Sequence, residues 1–458
     1  MTSPGAVTGN NEGAGGFLRN LVGARPGEGA VVLWASAYYF LALAAYYVLR
    51  PIRDEIGSND IEKLAWMFTG TMVAMLAVHP LYTSIVSRMP RRKFIPLAYR
   101  FFILNLAIFF ALFKLIPPAQ SVWVARVFFV WVSVFNLFVV SVFWSLIADL
   151  FRSGQGKRLF GVIAVGGTLG AMFGATLTTS LVKVLGSINL LLISAVILEL
   201  AVQASKVLDR SEATLRAADP QAGINPSTSP STSAAISAAN VEGDKAVGGG
   251  AMEGIQRILS NPYLLGISVL IFFYTISSTF LYFQQADIVA RVFADDRAER
   301  TRVFGLIDIA VNGLTLFAQL FLTGRVIKWF GIGVALAFVP VVTMIGFAAM
   351  AVRPELGVLL VFQVLRRAGT YAVQRPGRET LFTVVARTDK YKAKNFADTT
   401  VYRFGDQVGS WSYTWGQALG LGLSGLAFTM VPLSVAWLVL SLWLARKYAV
   451  LERHPSRS

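Results

Sequence analysis

The sequence contains no cysteine and only two histidines among its 458 residues. The missing thiols exclude disulfides, cysteine nucleophiles and cysteine metal sites, and no His-Glu-x-x-His motif is present to bind a catalytic zinc. Charged residues make up only 14% of the chain, whereas hydrophobic residues make up 55%. A soluble globular protein does not have this composition. We therefore expect an integral membrane protein that is not an enzyme and that uses no metal or other cofactor.

Long hydrophobic segments recur along the chain, and each is about long enough to cross a bilayer core of roughly 30 Å as a helix. They predict an all-α integral membrane fold with twelve transmembrane helices, near residues 31–50, 64–86, 94–115, 121–148, 159–182, 187–205, 263–284, 303–323, 331–352, 356–374, 403–427 and 430–446.

Most of the 41 basic residues lie in connections on the same side as the N-terminus. The positive-inside rule places that side in the cytoplasm. We therefore predict a multi-pass protein of the bacterial inner membrane with both termini cytoplasmic. Because topology accounts for the net charge of +16, the bilayer is an expected partner and nucleic acid is not.

The composition changes in the middle of the chain, where residues 222–250 are almost all small or polar. Such a segment cannot bury enough apolar surface to offset the entropy of ordering. The predicted organisation, for a monomer, is a disordered cytoplasmic tail 1–30, an N-terminal six-helix bundle 31–205, a flexible cytoplasmic linker 206–260, a C-terminal six-helix bundle 261–448 and a cytoplasmic tail 449–458.

Two pairs of loops indicate an internal duplication. Ser84–Phe94 and Phe321–Gly331 join the second span of each half to the third, and Phe151–Gly161 corresponds to Ala386–Phe396 at almost the same sequence separation. The short basic loops after spans two and eight resemble the signature loop of the major facilitator superfamily. That resemblance implies two pseudo-symmetric bundles around a central cavity and alternating access by rocking of the halves.

Two glycine-rich stretches lie inside predicted spans. Gly420–Gly425 fits the dinucleotide-binding fingerprint as a string, but no strand precedes it, so we interpret it as helix packing. Gly166–Gly174 has the small-residue spacing that lets two helices approach closely. We predict that this approach permits rocking.

Charge is concentrated at the end of the first span, Val31–Glu55, where two arginines and two carboxylates follow the last aliphatic residues. In one interpretation Arg50 and Arg53 extend to the outer headgroups and pair with Asp54 and Glu55. In the other, this charged end binds substrate or gates the transport path.

Several motifs in both halves resemble the ATP:ADP antiporter family of plastids and intracellular bacteria, the nucleotide translocases. The chain resembles a divergent bacterial member with a fold like that of the major facilitator superfamily, and the resemblance implies exchange of a nucleotide or another phosphorylated anion without hydrolysis. The motifs are Tyr47–Asp54 (YVLRPIRD), Phe143–Asp149 (FWSLIAD) with Gly156–Gly161 (GKRLFG), Arg375–Thr380 (RPGRET) with Lys390–Lys394 (KYKAK), and Asn261–Leu265 (NPYLL).

The resemblance transfers only in part to individual residues. The family's lysine at the end of span one corresponds to Arg53, and the lysine of its Pro-x-Lys-Glu motif corresponds to Arg378, with Glu379 retained. A family glutamate is replaced within Val132–Val134, and another is replaced by Tyr282. The resemblance thus implies that anion binding persists, while the features that shape exchange specificity have changed.

Charges inside membrane spans cost about 2.5–3.5 kcal/mol each, so each is a functional candidate. Arg126 lies near a span end and either binds substrate or reaches the headgroups. Asp308, one turn from Asn312, either carries a proton or pairs with an arginine. The predicted substrate-binding residues are Arg50, Arg53, Arg126, Tyr282, Arg378 and Glu379, and the predicted coupling or gating residues are Asp54, Asp308, Asn312, Arg403 and Asp406.

These observations predict a secondary active transporter that moves a nucleotide or another phosphorylated or anionic small molecule by alternating access, with ATP:ADP-type exchange as one form. One alternative is a proton-coupled transporter of a non-nucleotide solute that uses Asp308 or Glu379 as its proton carrier. The other alternative is a non-transporting membrane scaffold or sensor whose basic loops dock partners. The basic cluster Arg375–Lys394 is either a cytoplasmic loop that sets topology or a helix that lies at the membrane or closes the cavity.

Overall fold

The computed structural model describes residues 28–151, 153–218, 256, 258–294, 296–385, 393–394 and 396–453. The first half contains α1 (Glu28–Asn59), α2 (Ile61–Arg88), α3 (Arg91–Leu115), α4 (Pro118–Leu150), α5 (Ser153–Leu185) and α6 (Leu190–Ala218). The second half contains α7 (Pro262–Val292), α8 (Arg297–Phe321), α9 (Thr323–Val352), α10 (Leu356–Gly369), α11 (Arg375–Leu381), α12 (Tyr402–Ala418) and α13 (Leu423–Arg453).

The tenth span is a broken helix. A π-helical turn, Thr370–Gln374, joins α10 to α11, and a 3₁₀ turn, Phe382–Val384, ends it. Counting this span once, 11 helices of the described chain are long and apolar enough to cross a membrane. The remaining span, α12, has 17 residues and follows a second π-helical turn, Ala397–Val401. Each of the twelve predicted spans therefore has its helix, and the predicted all-α membrane fold is confirmed.

The same helix pairs pack in both halves, which confirms the predicted pseudo-symmetry. In the first half α1 packs on α5, α2 on α4 and α3 on α6. The corresponding pairs in the second half are α7 with α12, α8 with α10 and α9 with α13. Between the halves, α8 packs on α5 and α1, α7 packs on α1, and α12 packs on α2. These inter-half helices surround the middle of the molecule.

Polar side chains fix the start of two helices that reach the site. The Asn261 side chain accepts hydrogen bonds from the backbone N–H groups of Tyr263 and Leu264 at 3.0 and 3.4 Å, and Pro262 occupies the first turn. Asp296 caps α8 in the same way, accepting from the N–H of Glu299 at 2.8 Å. These caps satisfy backbone donors that a helix start leaves unpaired.

Several predicted boundaries differ from the structure. The helix α6 continues to Ala218, so part of the predicted 206–260 linker is helical. Predicted span eleven was extended too far, because the chain turns at Gly420, which has a φ of +83°, and α13 already begins at Leu423. The apolar residues on both sides conceal this turn, and interpreting Gly420–Gly425 as one helix-packing stretch was wrong. The tail up to residue 27, the linker residues 219–255 and residues 454–458 lie outside the described residues.

The glycines of α5 bring its backbone against that of α1. A Cβ added at Gly170 would lie 2.1 Å from the backbone oxygen of Phe40, and one added at Gly174 would lie 2.2 Å from that of Ala44. The predicted close approach of two helices is therefore present. However, α1 and α5 belong to the same bundle, so this contact stiffens one half rather than forming the surface on which the halves rock.

A pair of matched substitutions on α5 tests this packing. We expect Gly170→Ala to lower the melting temperature, because overpacking against a backbone costs about 1–3 kcal/mol. Gly161→Ala is the control, since nothing lies within 4 Å of an added Cβ there and alanine gains about 1 kcal/mol of helix propensity over glycine. Thermal unfolding in detergent measures both, and equal melting temperatures for the two variants would contradict the proposed contact.

Candidate functional site

The charged end of the first span lies inside α1 rather than beyond it. The helix passes through Pro51 and ends only at Asn59, so the charged residues remain on the helix. Asp54 and Glu55 are only 4% and 2% exposed. The burial of these two carboxylates differs from the first interpretation of the sequence, in which Arg50 and Arg53 extend to the outer headgroups and pair with them there. The carboxylates instead face neighbouring helices, from which their partners come.

Arg53 joins three helices. Its Nε donates to Ser133 Oγ of α4 at 3.0 Å, its Nη1 lies 3.0 Å from Asp54 Oδ1, and its guanidinium stacks 4.0 Å from the centre of the Phe129 ring. The hydroxyl of Tyr282 on α7 donates to the same Asp54 oxygen at 2.9 Å. Three of the predicted residues, Arg53, Asp54 and Tyr282, are thus brought together across the two halves.

A second charged cluster lies one turn earlier on α1. Arg50 Nη1 is 3.3 Å from Asp308 Oδ1 of α8, and Arg367 Nη1 of α10 is 3.0 Å from the same oxygen. Asp308 is 1% exposed. Within the described atoms, Asp308 Oδ2 and Arg367 Nη2 have no hydrogen-bond partner. A single carboxylate thus faces two guanidiniums at a junction of the halves.

Two other predicted residues do not join this cluster. The Asn312 amide donates to the backbone oxygen of Asp308 at 2.8 Å rather than to its carboxylate. Arg126 lies away from the central helices, where its Nε contacts Asp60 Oδ2 at 2.6 Å. The predicted role of Asn312 in coupling and that of Arg126 in substrate binding stay predictions, and the contacts of the two residues do not support them.

A central cavity of about 190 Å³ lies between α1, α2, α4 and α12. Its polar lining includes Arg53, Ser133, Arg403 and Asp406. Arg403 and Asp406 form the predicted local ion pair at 3.2 Å, and Thr279 of α7 donates to the other oxygen of Asp406 at 3.0 Å. The cavity therefore has charged groups from both halves on its wall.

A larger cavity of about 360 Å³ lies in the second half, between α7, the broken tenth span and α12. Gln374, Arg375 and Arg378 line one wall, Asp398 lies opposite, and Arg403 lines this cavity as well as the central one. The two π-helical turns form parts of its wall. Such turns re-aim side chains and are frequent at functional sites.

Of the predicted residues Arg378 and Glu379, only Arg378 lines this cavity. Arg378 lines it and lies 3.2 Å from Asp398. Glu379 is largely exposed and pairs with Lys394. The neighbouring Glu379 carboxylate is 3.8 Å from Arg378, so it contributes to the charge at the cavity edge but does not line the cavity.

Arginines exceed carboxylates in the lining of the two cavities, which contains Arg53, Arg375, Arg378 and Arg403 but only two carboxylates, Asp398 and Asp406. A further arginine lies next to Tyr274, which lines the larger cavity. Arg366, only 1% exposed, donates to Ser277 Oγ at 3.0 Å and to the Tyr274 carbonyl at 3.2 Å, and it pairs with no carboxylate of the described chain. Arg375 stacks on Tyr371 at 4.9 Å and likewise forms no ion pair with a described residue. The buried guanidinium of Arg366 and the unpaired one of Arg375, which lines the larger cavity, both favour an anionic partner. The site is therefore suited to an anion.

Ion pairs join the halves on one side of the membrane. We call this the far side; α1 ends there, and α2 begins there. Glu55 binds Arg297 through two contacts of 2.8 and 3.1 Å. Lys183, at the end of α5, lies 2.7 Å from Glu299 at the start of α8. Both pairs cross from one half to the other, so they hold the far side closed.

Sequence reasoning missed Arg366 and Arg367. Both lie inside the predicted span 356–374, so the criterion that singled out Asp308, a charge within a span, applies to them equally. Their partners are unrelated in sequence: Asp308 lies on another helix, and Ser277 lies on α7. The sequence signal identifies such arginines as candidates but does not say what they contact.

Comparison with known proteins identifies the fold family. The family model described as Major Facilitator Superfamily matches residues 30–386. No curated protein matches the sequence.

Solved transporter structures share the fold at low sequence identity. The nucleoside transporter NupG, solved as a mutant, is 11% identical with a TM-score of 0.59, covering 92% of this chain and 99% of that one. A bacterial homologue of the iron transporter ferroportin, in an inward-facing state, has the same identity and TM-score and covers 94% and 99%. A POT family peptide transporter is 14% identical with a TM-score of 0.57, covering 93% and 97%.

These matches show the fold and not the substrate, because all three identities are low. They agree with the fold of two six-helix bundles. The chain belongs to the major facilitator superfamily of secondary transporters, which move small molecules across the bilayer by alternating access.

Proposed function

We propose that this protein transports a phosphorylated or otherwise anionic small molecule. The observation that carries the proposal is the excess of arginines over carboxylates in the lining of the two cavities, where Arg53, Arg375, Arg378 and Arg403 face only Asp398 and Asp406. Keeping uncompensated guanidiniums inside a membrane protein is costly unless an anion is bound. An anionic substrate supplies the missing charge, and the planar guanidinium fork matches phosphate oxygens.

The sizes of the cavities bear on where such a substrate binds. Small-molecule pockets usually hold about 300–1,000 Å³, so the central cavity of 190 Å³ is small and the neighbouring cavity of 360 Å³ is adequate. Arg403 lines both. We propose that the anionic group enters the larger cavity, near Arg375 and Arg378, and that the rest of the molecule extends toward Arg53.

A nucleotide is the specific substrate class that the motif resemblance favours, with ATP:ADP-type exchange as its form. Arg53 stands where the resemblance implies a lysine, and it stacks on Phe129. Ser133 and Tyr282 lie where the resemblance implies glutamates or next to such a position, and both touch the pair formed by Arg53 and Asp54. Hydroxyls in place of the glutamates reduce the negative charge near Arg53. This change favours binding of an anion, but it gives no preference for ATP over ADP.

Proton coupling is the second candidate, and it rests on Asp308. Its carboxylate is buried between Arg50 and Arg367, and one of its oxygens has no partner among the described atoms. Protonation of this group would release the arginines for the substrate. A non-transporting scaffold, the third possibility considered from the sequence, predicts a blocked centre, whereas the described helices enclose two cavities.

Removal of the Arg53 charge tests the anion site. We expect Arg53→Ala to weaken saturable uptake of nucleotides and sugar phosphates into proteoliposomes by about 10- to 150-fold, because a hydrogen bond to a charged group contributes about 1.5–3 kcal/mol. Arg100→Ala is the matched control, since Arg100 pairs with Glu199 on the exposed surface of the first half. Unchanged uptake by the Arg53 variant would remove that residue from the substrate site.

Asp308→Asn separates exchange from proton coupling. If Asp308 carries a proton, the variant loses accumulation driven by a pH gradient but keeps exchange of internal for external substrate. Uptake into substrate-loaded and empty liposomes, each with and without a pH gradient, measures the two activities. Wild-type protein that accumulates nothing under a pH gradient, yet exchanges rapidly, would exclude the proton-coupled candidate.

Closure of the far side is testable because the chain contains no cysteine. Spin labels at Val184→Cys and Val292→Cys report the separation of the halves, since both positions are exposed at helix ends on that side. We expect Glu55→Gln to increase the population with long distances, because it breaks the pair between the buried Glu55 carboxylate and Arg297 of the other half. Asp287→Asn is the control, as Asp287 pairs within α7 with Arg291. An unchanged distribution for the Glu55 variant would show that this pair does not hold the halves together.

A further inference from the structure

A wide groove crosses the bilayer-facing surface of the first half, between α2, α3 and α4. Its volume is about 1080 Å³, and its walls are almost entirely apolar, with Met67, Phe101, Phe102 and Val130 among the lining residues. Apolar walls without contacting atoms lose dispersion energy. Because this groove faces hydrocarbon rather than water, a lipid chain is the molecule available to fill it.

The far-side end of the groove is chemically different. Lys63 and Arg126 line it there, next to Trp66 and Trp123, whose side chains are 60% and 68% exposed. The Arg126 guanidinium stacks 4.6 Å from the Trp123 ring. Exposed tryptophans are typical of the headgroup level of a membrane. The groove therefore begins at the headgroups and continues into the hydrocarbon.

The ionic groups that line this end of the groove, Lys63 and Arg126, are both cations and favour an anion. Arg126 is neutralised by Asp60, whose Oδ2 lies 2.6 Å from its Nε. Lys63 is exposed and forms no ion pair with any described residue. Its single positive charge matches the single negative charge that an anionic phospholipid such as phosphatidylglycerol carries on its phosphodiester. A zwitterionic lipid carries a positive group beside its phosphate, so it gains less binding free energy from the charge of Lys63.

We propose that this groove binds one anionic phospholipid from the surrounding bilayer, with its phosphate between Lys63 and Arg126 and an acyl chain along α2, α3 and α4. The site is separate from the substrate cavities, so the proposal does not depend on which solute is transported. It assigns Arg126, which lies outside the central cavity, to the lipid rather than to the substrate.

The headgroup position is next to a contact between the halves. Asp60 directly follows Asn59, whose side-chain oxygen accepts from Arg300 Nη2 of α8 at 3.4 Å. A phosphate bound at Arg126 and Lys63 therefore holds the turn between α1 and α2 in the position that this contact requires. Occupancy of the lipid site stabilises the closed far side.

Native mass spectrometry of protein extracted from vesicles of phosphatidylethanolamine and phosphatidylglycerol tests the proposal. We expect one retained phosphatidylglycerol on the wild type and about fivefold weaker retention on Lys63→Ala, since one basic residue near a membrane surface contributes about a factor of this size. Lys114→Ala is the matched control. Lys114 lies at the far-side end of α3, outside the groove, and its removal leaves retention unchanged.

Two further variants keep the result independent of folding defects. Asp60→Asn removes the carboxylate that competes for Arg126, so retention rises, which a misfolded protein cannot imitate. Ala98→Trp fills the groove and abolishes retention, with gel filtration and thermal unfolding as checks. Equal retention by the wild type and the Lys63 variant, binding of phosphatidylethanolamine alone, or binding only of detergent or fatty acid would each overturn the proposal.

Discussion

The burial of charge on α1 is the constraint on which the rest of the structure depends. Arg50, Arg53, Asp54 and Glu55 lie on a helix inside a membrane protein, where an unpaired charge is costly. Each therefore pairs with a group on a neighbouring helix, and several of those groups belong to the other half. The same residues consequently join the two bundles, and Arg53 also lines the central cavity between them.

The charges are not balanced, and this imbalance connects the fold to the proposed activity. If every charge were paired one to one, the interior would be neutral. Here two arginines, Arg50 and Arg367, share the single carboxylate of Asp308. The guanidinium of Arg366 is hydrogen-bonded only to neutral oxygens. In the proposed function, substrate binding and inter-half contact use some of the same groups. An anion that binds Arg50 or Arg53 competes with their contacts to Asp308 and Tyr282 of the other half, which is the coupling that alternating access requires.

The sequence predicts features that are set by local chemistry or by the bilayer. The twelve helices are predicted because each apolar segment is long enough to cross the hydrocarbon core of the bilayer. The helix cap at Asn261 is predicted from the residue type. The Arg403–Asp406 pair is predicted because residues three apart lie on the same face of a helix. The pairing of Arg50 with Asp308 on α8 could not be predicted, because helical periodicity does not say which distant helix a side chain faces. The turn at Gly420 was missed because lipid makes both flanks equally apolar, and the π-helical turns have no composition of their own.

The glycine contact between α1 and α5 holds these two helices together as one rigid unit. Thr178 of α5 strengthens the contact by donating a hydrogen bond to the Val48 carbonyl at 3.0 Å, just before Pro51, where α1 bends most easily. At the other face of α5, Thr179 lies against Gly305 of α8, where an added Cβ would lie 2.4 Å from its hydroxyl. In the proposed function, a ligand at Arg53 therefore acts on a helix that is held against α5 as far as Val48 and that, through α5, is in contact with α8 of the other half.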